Sequence, residues 1–124
     1  MYRKTIVFAA LLLLISMPAH FAKAASFDCA KAATADEIAV CKSTALSELD
    51  VKMATLFGVR MEIPMMMGAS GAARDEQRAF LDERKACGSQ DACIGKAYAA
   101  RIAVLEQTIK SAMQDYCDKI GLCG

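Results

Sequence analysis

Six cysteines in a chain of 124 residues are the feature that most restricts how this sequence can fold. They form three local couples with offsets of 12, 6 and 6 positions, namely Cys29 and Cys41, Cys87 and Cys93, and Cys117 and Cys123. An even number of cysteines in a short chain outside the cytoplasm is typical of a disulfide framework. Six cysteines allow 15 pairings in principle, and we predict the three local ones.

Helix geometry limits where the two shorter bridges can form. Six residues along one helix span about 9 Å, whereas the Cα atoms of a disulfide lie within roughly 7 Å of each other. Each shorter couple must therefore straddle a break, and Gly88 and Gly121 are placed to provide one. Zinc binding is the competing explanation for clustered cysteines, but the chain has no Cys-x-x-Cys spacing.

The first 24 residues have the three parts of a cleavable secretory signal. Arg3 and Lys4 give the positive start, residues 6–15 an apolar run, and Ala22-Lys23-Ala24 a small-x-small cleavage motif. The run is shorter than the roughly 20 apolar residues of a membrane span, although an uncleaved anchor is the alternative. We expect one mature domain, residues 25–124, without a stable membrane anchor. In a bacterium it would be periplasmic or secreted.

Loss of the signal would change both the charge and the chemistry of the chain. Twelve basic and 14 acidic residues would remain, a formal charge of −2, which argues against nucleic-acid binding. The only histidine, His20, lies inside the signal, so the mature domain lacks the usual general base for neutral pH. The serines have no glycine-flanked elbow, and the acidic pairs at 75–76 and 82–83 fit a solvated helix face. We predict that the protein is not an enzyme and has no cofactor.

Apolar residues recur at steps of three and four, the period of buried helices. Thr34 and Glu37 match a capping box, from which a first helix is expected over about Ala35 to Arg60. A second helix is expected over about Ala72 to Ala86. A third carries an apolar stripe at Ile94, Tyr98, Ile102, Leu105, Ile109 and Met113. The sequence therefore predicts an all-α fold, a small disulfide-stapled antiparallel bundle of about three helices followed by a short stapled tail.

The connection between the first two predicted helices is a candidate binding loop. It runs over Glu62–Gly71 and contains a proline, three consecutive methionines and two glycines. Its candidate partner-binding residues are Glu62, Met65, Met66, Met67 and Ser70. A connection that binds nothing is the plainer alternative.

A set of spaced residues extends over about residues 27–105. They are Phe27-Asp28-Cys29-Ala30-Lys31-Ala32, Glu37, Cys41, Leu49-Asp50, Gln77-Arg78-Ala79-Phe80-Leu81, Arg84, Cys87, Cys93, Tyr98, Arg101 and Leu105. This pattern resembles the LprI-type lysozyme-inhibitor domains. Phe80 stands where that family usually has tryptophan, and Met53 where it often has tyrosine. The third cysteine couple lies outside the shared pattern.

The resemblance implies an exported helical domain, and some members of that family inhibit lysozyme. We therefore expect a protein partner, lysozyme, whose active-site cleft with its two carboxyl groups would be occluded. The resemblance does not supply a set of inhibitory residues. Arg84 and Arg101 match the pattern and are further candidates for partner binding, with pairing to an aspartate or glutamate inside the fold as the alternative.

Methionine gives a second hypothesis. Met61, Met65, Met66 and Met67 surround Pro64, and thioethers are soft ligands that prefer Cu(I). Methionine is also a common filler of cores and adaptable surfaces. A periplasmic copper(I)-binding protein is therefore one alternative function, and an envelope protein-interaction module without lysozyme activity is another. No metal site other than this copper set is predicted.

Overall fold

The computed structural model describes residues 25–64 and 68–121, and its regular structure there is entirely helical. One turn of 3-10 helix at Cys29–Lys31 precedes four α-helices: α1 (Ala35–Lys42), α2 (Thr44–Glu62), α3 (Ala69–Ala86) and α4 (Asp91–Ile120). The predicted all-α class is confirmed.

The predicted first helix is in fact two helices, because the chain leaves helical geometry at Ser43. This residue has φ −106° and ψ 115°, and its hydroxyl accepts a hydrogen bond from the backbone nitrogen of Leu46 at 3.3 Å. Ser43 therefore ends α1 and caps α2. At the other end of α1 the predicted capping box of Thr34 and Glu37 is confirmed.

The other helix bounds also differ from the prediction. Glu62 is the last residue of α2, and Ser70 and Gly71 already lie in the first turn of α3, so the connection is shorter than Glu62–Gly71. Gly68 has a φ of 94°, which a glycine adopts without strain directly before α3. Cys117 belongs to α4 rather than to a separate tail, since that helix continues to Ile120.

Contacts between the helices define an up-down-up arrangement. α2 and α4 run in the same direction, because Asp50 contacts Tyr98 and, farther along both helices, Lys52 pairs with Glu106. α3 runs the opposite way, as its contacts with α4 show: Phe80 with Tyr98, and Gln77 with Arg101. The predicted antiparallel packing describes α3 and its two neighbours, whereas α2 and α4 are parallel.

The core lies between the helices on the half of the bundle that includes α1. Its largest buried apolar side chains are Val40, Leu46, Met53, Phe80, Ile94, Tyr98, Ile102 and Leu105. The predicted stripe of α4 is thus buried from Ile94 to Leu105, but Met113 is 59% exposed. Leu81, in the middle of α3, is also exposed.

Two of the three predicted disulfides lie within the described residues, and both are confirmed. Cys29–Cys41 joins the 3-10 turn to α1, and Cys87–Cys93 joins the end of α3 to the start of α4, with Cα distances of 5.7 and 5.6 Å. Gly88 supplies the predicted break with a φ of 57°. Cys117 is also disulfide-bonded, while Cys123, its predicted partner, lies outside the described residues.

The predicted signal, residues 1–24, lies outside the described residues as well. Ala25, the residue predicted to follow the cleavage, packs in the core. Among the residues that the structure describes, no helix is both long enough and apolar enough to cross a membrane.

Candidate functional site

Three charged side chains meet inside the bundle. Asp36 of α1, Asp50 of α2 and Arg84 of α3 are only 2%, 1% and 6% exposed. Charges are rarely buried so completely unless they are paired. Tyr98 of α4 is fully buried beside them. We call these four residues, one from each helix, the buried network.

Hydrogen bonds connect the buried network from end to end. Arg84 Nε donates to Asp36 Oδ2 at 2.8 Å, and Arg84 Nη1 donates to the Tyr98 hydroxyl at 2.9 Å. The Tyr98 hydroxyl donates to Asp50 Oδ1 at 2.8 Å. Asp50 Oδ2 accepts from the backbone nitrogen of Ser26 at 2.6 Å. The network therefore ties the segment before α1 to all four helices.

Aromatic rings enclose the Arg84 guanidinium. Its carbon lies 5.7 Å from the centre of the Phe27 ring and 5.9 Å from that of Tyr98. Both distances are within the range of cation–π attraction. The Phe80 ring packs against Tyr98 at 5.3 Å. This packing holds the guanidinium in place.

The surroundings of the network shift the pKa values of Tyr98 and Asp36 in opposite directions. Burial raises the pKa of Tyr98 far above its ordinary value, and the charge of Asp50 adds to this effect against the opposing influence of Arg84. Burial alone would raise the pKa of Asp36, but the Thr34 hydroxyl and Arg84 outweigh it and the pKa is lowered. Tyr98 is thus held as a neutral donor and Asp36 as a carboxylate. Asp36 Oδ1 nevertheless has no hydrogen-bond partner of acceptable geometry.

Arg101 forms a second, smaller buried polar group. Its Nε donates to Gln77 Oε1 at 3.1 Å, and its Nη1 pairs with the Glu76 carboxylate at 3.3 Å. Gln77 in turn donates to the sulfur of Met53 at 3.1 Å. The Arg101 side chain is only 7% exposed. For both Arg84 and Arg101, this burial favours pairing inside the fold over contact with a partner.

An open cleft of about 450 Å³ lies beside the buried network. Phe27, Phe57 and Met53 give it apolar walls, and Asp36, Asp50 and Arg84 reach it from the interior. Charged residues of both signs, Glu37, Asp82 and Lys85, also line it. The buried network comes closest to solvent at this cleft.

A larger depression of about 700 Å³ lies at the other end of the bundle, between the end of α2 and the last turns of α4. We call it the distal groove; its lining residues are Val59, Glu62, Ile63, Pro64, Ala112, Met113, Asp115, Tyr116 and Lys119. Val59, Met113 and Tyr116 are 45%, 59% and 62% exposed. Clustered exposed apolar side chains of this kind are typical of interaction surfaces.

The structure separates the residues predicted as a binding site. Glu62 is exposed at the distal groove, and Ser70 is half-buried in the first turn of α3. Arg84 and Arg101 lie inside the bundle, away from both. Met65, Met66 and Met67 lie outside the described residues, so only Met61 of the copper alternative is described, and it is half-buried. Within residues 25–64 and 68–121, no group of three or more histidine, cysteine, aspartate or glutamate side chains could hold a metal ion.

Sequence reasoning missed Asp36 and most of the distal groove. Asp36 lies in the first turn of a helix, where an acidic residue is ordinary because it favours the helix dipole. Its spacing could have indicated that it is buried, since Asp36 lies one turn before the fully buried Val40 and on the same helix face. The distal groove had no comparable signal, because its two sides are far apart in the sequence.

Comparisons with protein-family models, curated proteins and solved structures find no match to this chain. The resemblance to LprI-type domains therefore depends only on the spaced residues over about 27–105.

Proposed function

We propose that this protein is an exported, disulfide-stapled helical domain that inhibits lysozyme. The observation that carries the proposal is that residues on which the LprI resemblance depends come together in space. Phe27, Asp50, Arg84 and Tyr98 are far apart in the sequence, yet each contacts another of the four. Other residues of the pattern, such as Arg78 and Leu81, are exposed, so the support comes from the contacts among these four.

The buried network supports a likeness to LprI-type domains in the arrangement of the helices, and not in the binding surface. Its members are inaccessible to a protein partner, so their role in such a domain is to fix the helices relative to one another. Binding must then depend on exposed residues of the same rigid frame. Because the helices are ordered before contact, the entropic cost of association is reduced.

Export is supported by the disulfides. Cys29–Cys41 and Cys87–Cys93 have Cα separations of 5.7 and 5.6 Å, within the range of disulfide bridges. Such bridges persist in oxidising compartments such as the bacterial periplasm and are rare in the cytosol. A periplasmic or secreted location is therefore part of the proposal.

We assign lysozyme binding to the distal groove. Exposed tyrosine and methionine, here Tyr116 and Met113, are enriched in protein interfaces. Glu62 and Asp115 place two carboxylates on the groove against one lysine, Lys119. This excess of negative charge complements a strongly basic enzyme and would speed their encounter.

Met113→Asp should weaken inhibition by about tenfold or more, because it replaces an exposed apolar side chain of the groove with a carboxylate. Val104→Asp is the matched control, since Val104 is 51% exposed on the same helix but does not line the groove. The measurement is the rate of cell-wall lysis by c-type, g-type and i-type lysozymes at increasing concentrations of oxidised protein. Circular dichroism checks that both variants stay helical.

Equal loss of inhibition in the two variants would contradict the assignment to the distal groove. If no lysozyme class is slowed by excess wild-type protein, inhibition itself is contradicted. Binding in calorimetry without slower lysis would instead favour an envelope interaction module.

A further inference from the structure

The buried network contains more negative than positive formal charge. Asp36 and Asp50 contribute two carboxylates and Arg84 one guanidinium, while Tyr98 is held neutral. Among the described residues, no other basic side chain lies within 4.0 Å of either carboxylate. A buried charge without a counter-charge is unfavourable. The excess carboxylate therefore favours one more cation at the edge of the network.

The backbone at Ala25 is placed to supply that cation. Ala25 is only 6% exposed and belongs to the core. The next backbone nitrogen, that of Ser26, donates to Asp50 Oδ2 at 2.6 Å. Standard bond lengths keep successive backbone nitrogens within about 3.7 Å of each other. The nitrogen of Ala25 is therefore within about 6 Å of this carboxylate oxygen.

We propose that removal of the signal before Ala25 creates an α-ammonium group that pairs with Asp50 and completes the buried network. Hydrolysis of the bond between Ala24 and Ala25 by a signal peptidase consumes one water molecule. It leaves a carboxylate on the released signal and an amine on the domain, and the amine takes up a proton at neutral pH. Before cleavage the same nitrogen is a neutral amide. Asp50 is thus the receptor for the mature amino terminus.

The inference depends on the export step of the proposed function but not on lysozyme binding. It gives signal removal a structural consequence, because the processed domain would be more stable than the same domain with its nitrogen blocked. It also explains why an aspartate is buried at position 50 although Arg84 already bonds Asp36.

The charged groups of each helix at this end of the bundle determine how the amine would titrate. Those that line the cleft beside Ser26 are Asp36 and Glu37 of α1, Asp50 of α2, and Asp82, Arg84 and Lys85 of α3, while neutral Tyr98 of α4 bonds Asp50. Burial of Ala25 would by itself lower the pKa of the amine. Carboxylates outnumber cations and Asp50 is nearest, so the proposed pairing predicts that their charge outweighs burial and that the folded-state pKa lies above the ordinary value of about 7.7–8.0. The stabilisation should then be complete below that range and be lost as the pH rises through the folded-state pKa.

The test begins with the complete chain, expressed with its signal in an exporting bacterium and purified after processing. Intact mass identifies the first residue. In one variant a serine is inserted between Ala24 and Ala25, which moves the amine about 3.5 Å farther along the chain and changes no side chain of the domain. We expect the unfolding equilibrium constant of this variant to rise at least tenfold at pH 7, and the difference from wild type to shrink at pH 10.

Asp50→Asn provides the control. In the Asp50→Asn background the inserted serine should change the unfolding constant by less than twofold, because the partner of the amine is gone. The pKa of the wild-type amine, followed by NMR after isotopic methylation, needs no variant and should be raised. An insertion without effect on stability, or an ordinary amine pKa, overturns the proposal.

The mass measurement separates this inference from the export on which it depends. A chain that keeps all 124 residues contradicts export. A first residue other than Ala25 overturns the pairing while leaving export and lysozyme inhibition intact. Lysis assays on the same preparation report on inhibition independently.

Discussion

Arg84→Met should lower the free energy of unfolding by about 3–5 kcal/mol, the usual cost of removing one partner from a buried ion pair. Methionine fills the space of the aliphatic stem but loses the bonds to Asp36 and to the Tyr98 hydroxyl. Two buried carboxylates then have no cation from a side chain. Small domains are stable by only about 5–15 kcal/mol, so a large part of the stability should be lost.

The pH dependence of this variant identifies the cause. In the wild type the pKa of Asp36 is below its ordinary value of 3.8, because Thr34 and Arg84 outweigh the effect of burial. This group therefore stabilises the fold above pH 3.8, and its contribution is lost as the pH falls through the lower folded-state pKa. In Arg84→Met burial dominates and the folded-state pKa should exceed the unfolded one. The variant should then gain stability as the pH is lowered towards 4, whereas the contribution of Asp36 to the wild type stays constant above pH 3.8 and decreases only below it.

Arg78→Met is the matched control for urea denaturation across this pH range. Arg78 is on the same helix, but its side chain is 71% exposed and pairs with Asp75 at the surface. Exposed pairs of this kind contribute little to stability. A loss in Arg84→Met no larger than that in Arg78→Met would contradict the importance of the buried network.

Much of the fold can be read from local signals in the sequence. The cysteine spacing together with Gly88 predicts a bridged turn, because six helical residues place two Cα atoms too far apart for a disulfide. The break at Ser43 has no such signal, since serine occurs both inside helices and at their caps. Tertiary contacts determine the position of this break, because α1 has to change direction relative to α2 for Asp36 to reach Arg84, which lies 48 positions later.

The site is less predictable because it depends on helix direction. The resemblance identifies Asp50, Arg84 and Tyr98 one by one but does not state that they touch. The distal groove exists only because α2 and α4 are parallel, which brings residues 59–64 beside residues 112–119. In a bundle with these two helices antiparallel, the same side chains would lie at opposite ends.

Reduction of the disulfides should have the other large effect. The bridges Cys29–Cys41 and Cys87–Cys93 close loops of 12 and 6 positions. The loss of unfolded-state entropy on closing such loops is worth about 3 and about 2 kcal/mol. Their combined loss, about 5 kcal/mol, matches the total stability of a weakly stable domain. We therefore expect the reduced protein to be largely unfolded at 37 °C, as measured by circular dichroism with and without a phosphine reductant.

Two double variants show how much each bridge contributes to the stability. Cys29→Ser with Cys41→Ser should cost more than Cys87→Ser with Cys93→Ser, because its loop is longer and because Cys29 also holds the segment from which Ser26 bonds Asp50. If the four-serine variant is as stable as the oxidised wild type, the bridges are not needed for the fold.

The order of events on reduction also bears on where lysozyme binds. Both described bridges are at the end of the bundle where α2 and α4 begin, whereas the distal groove lies where these helices end. If the groove is the binding surface, inhibition should persist while the helices remain and disappear together with helicity as reductant is increased. Cys117, in the last turns of α4 beside the groove, is also disulfide-bonded, so the two ends are compared in the two double variants, which leave Cys117 unchanged. Inhibition lost in either variant while helicity is kept would indicate that the disulfide end contacts the enzyme. Lysis and circular dichroism are followed on the same samples.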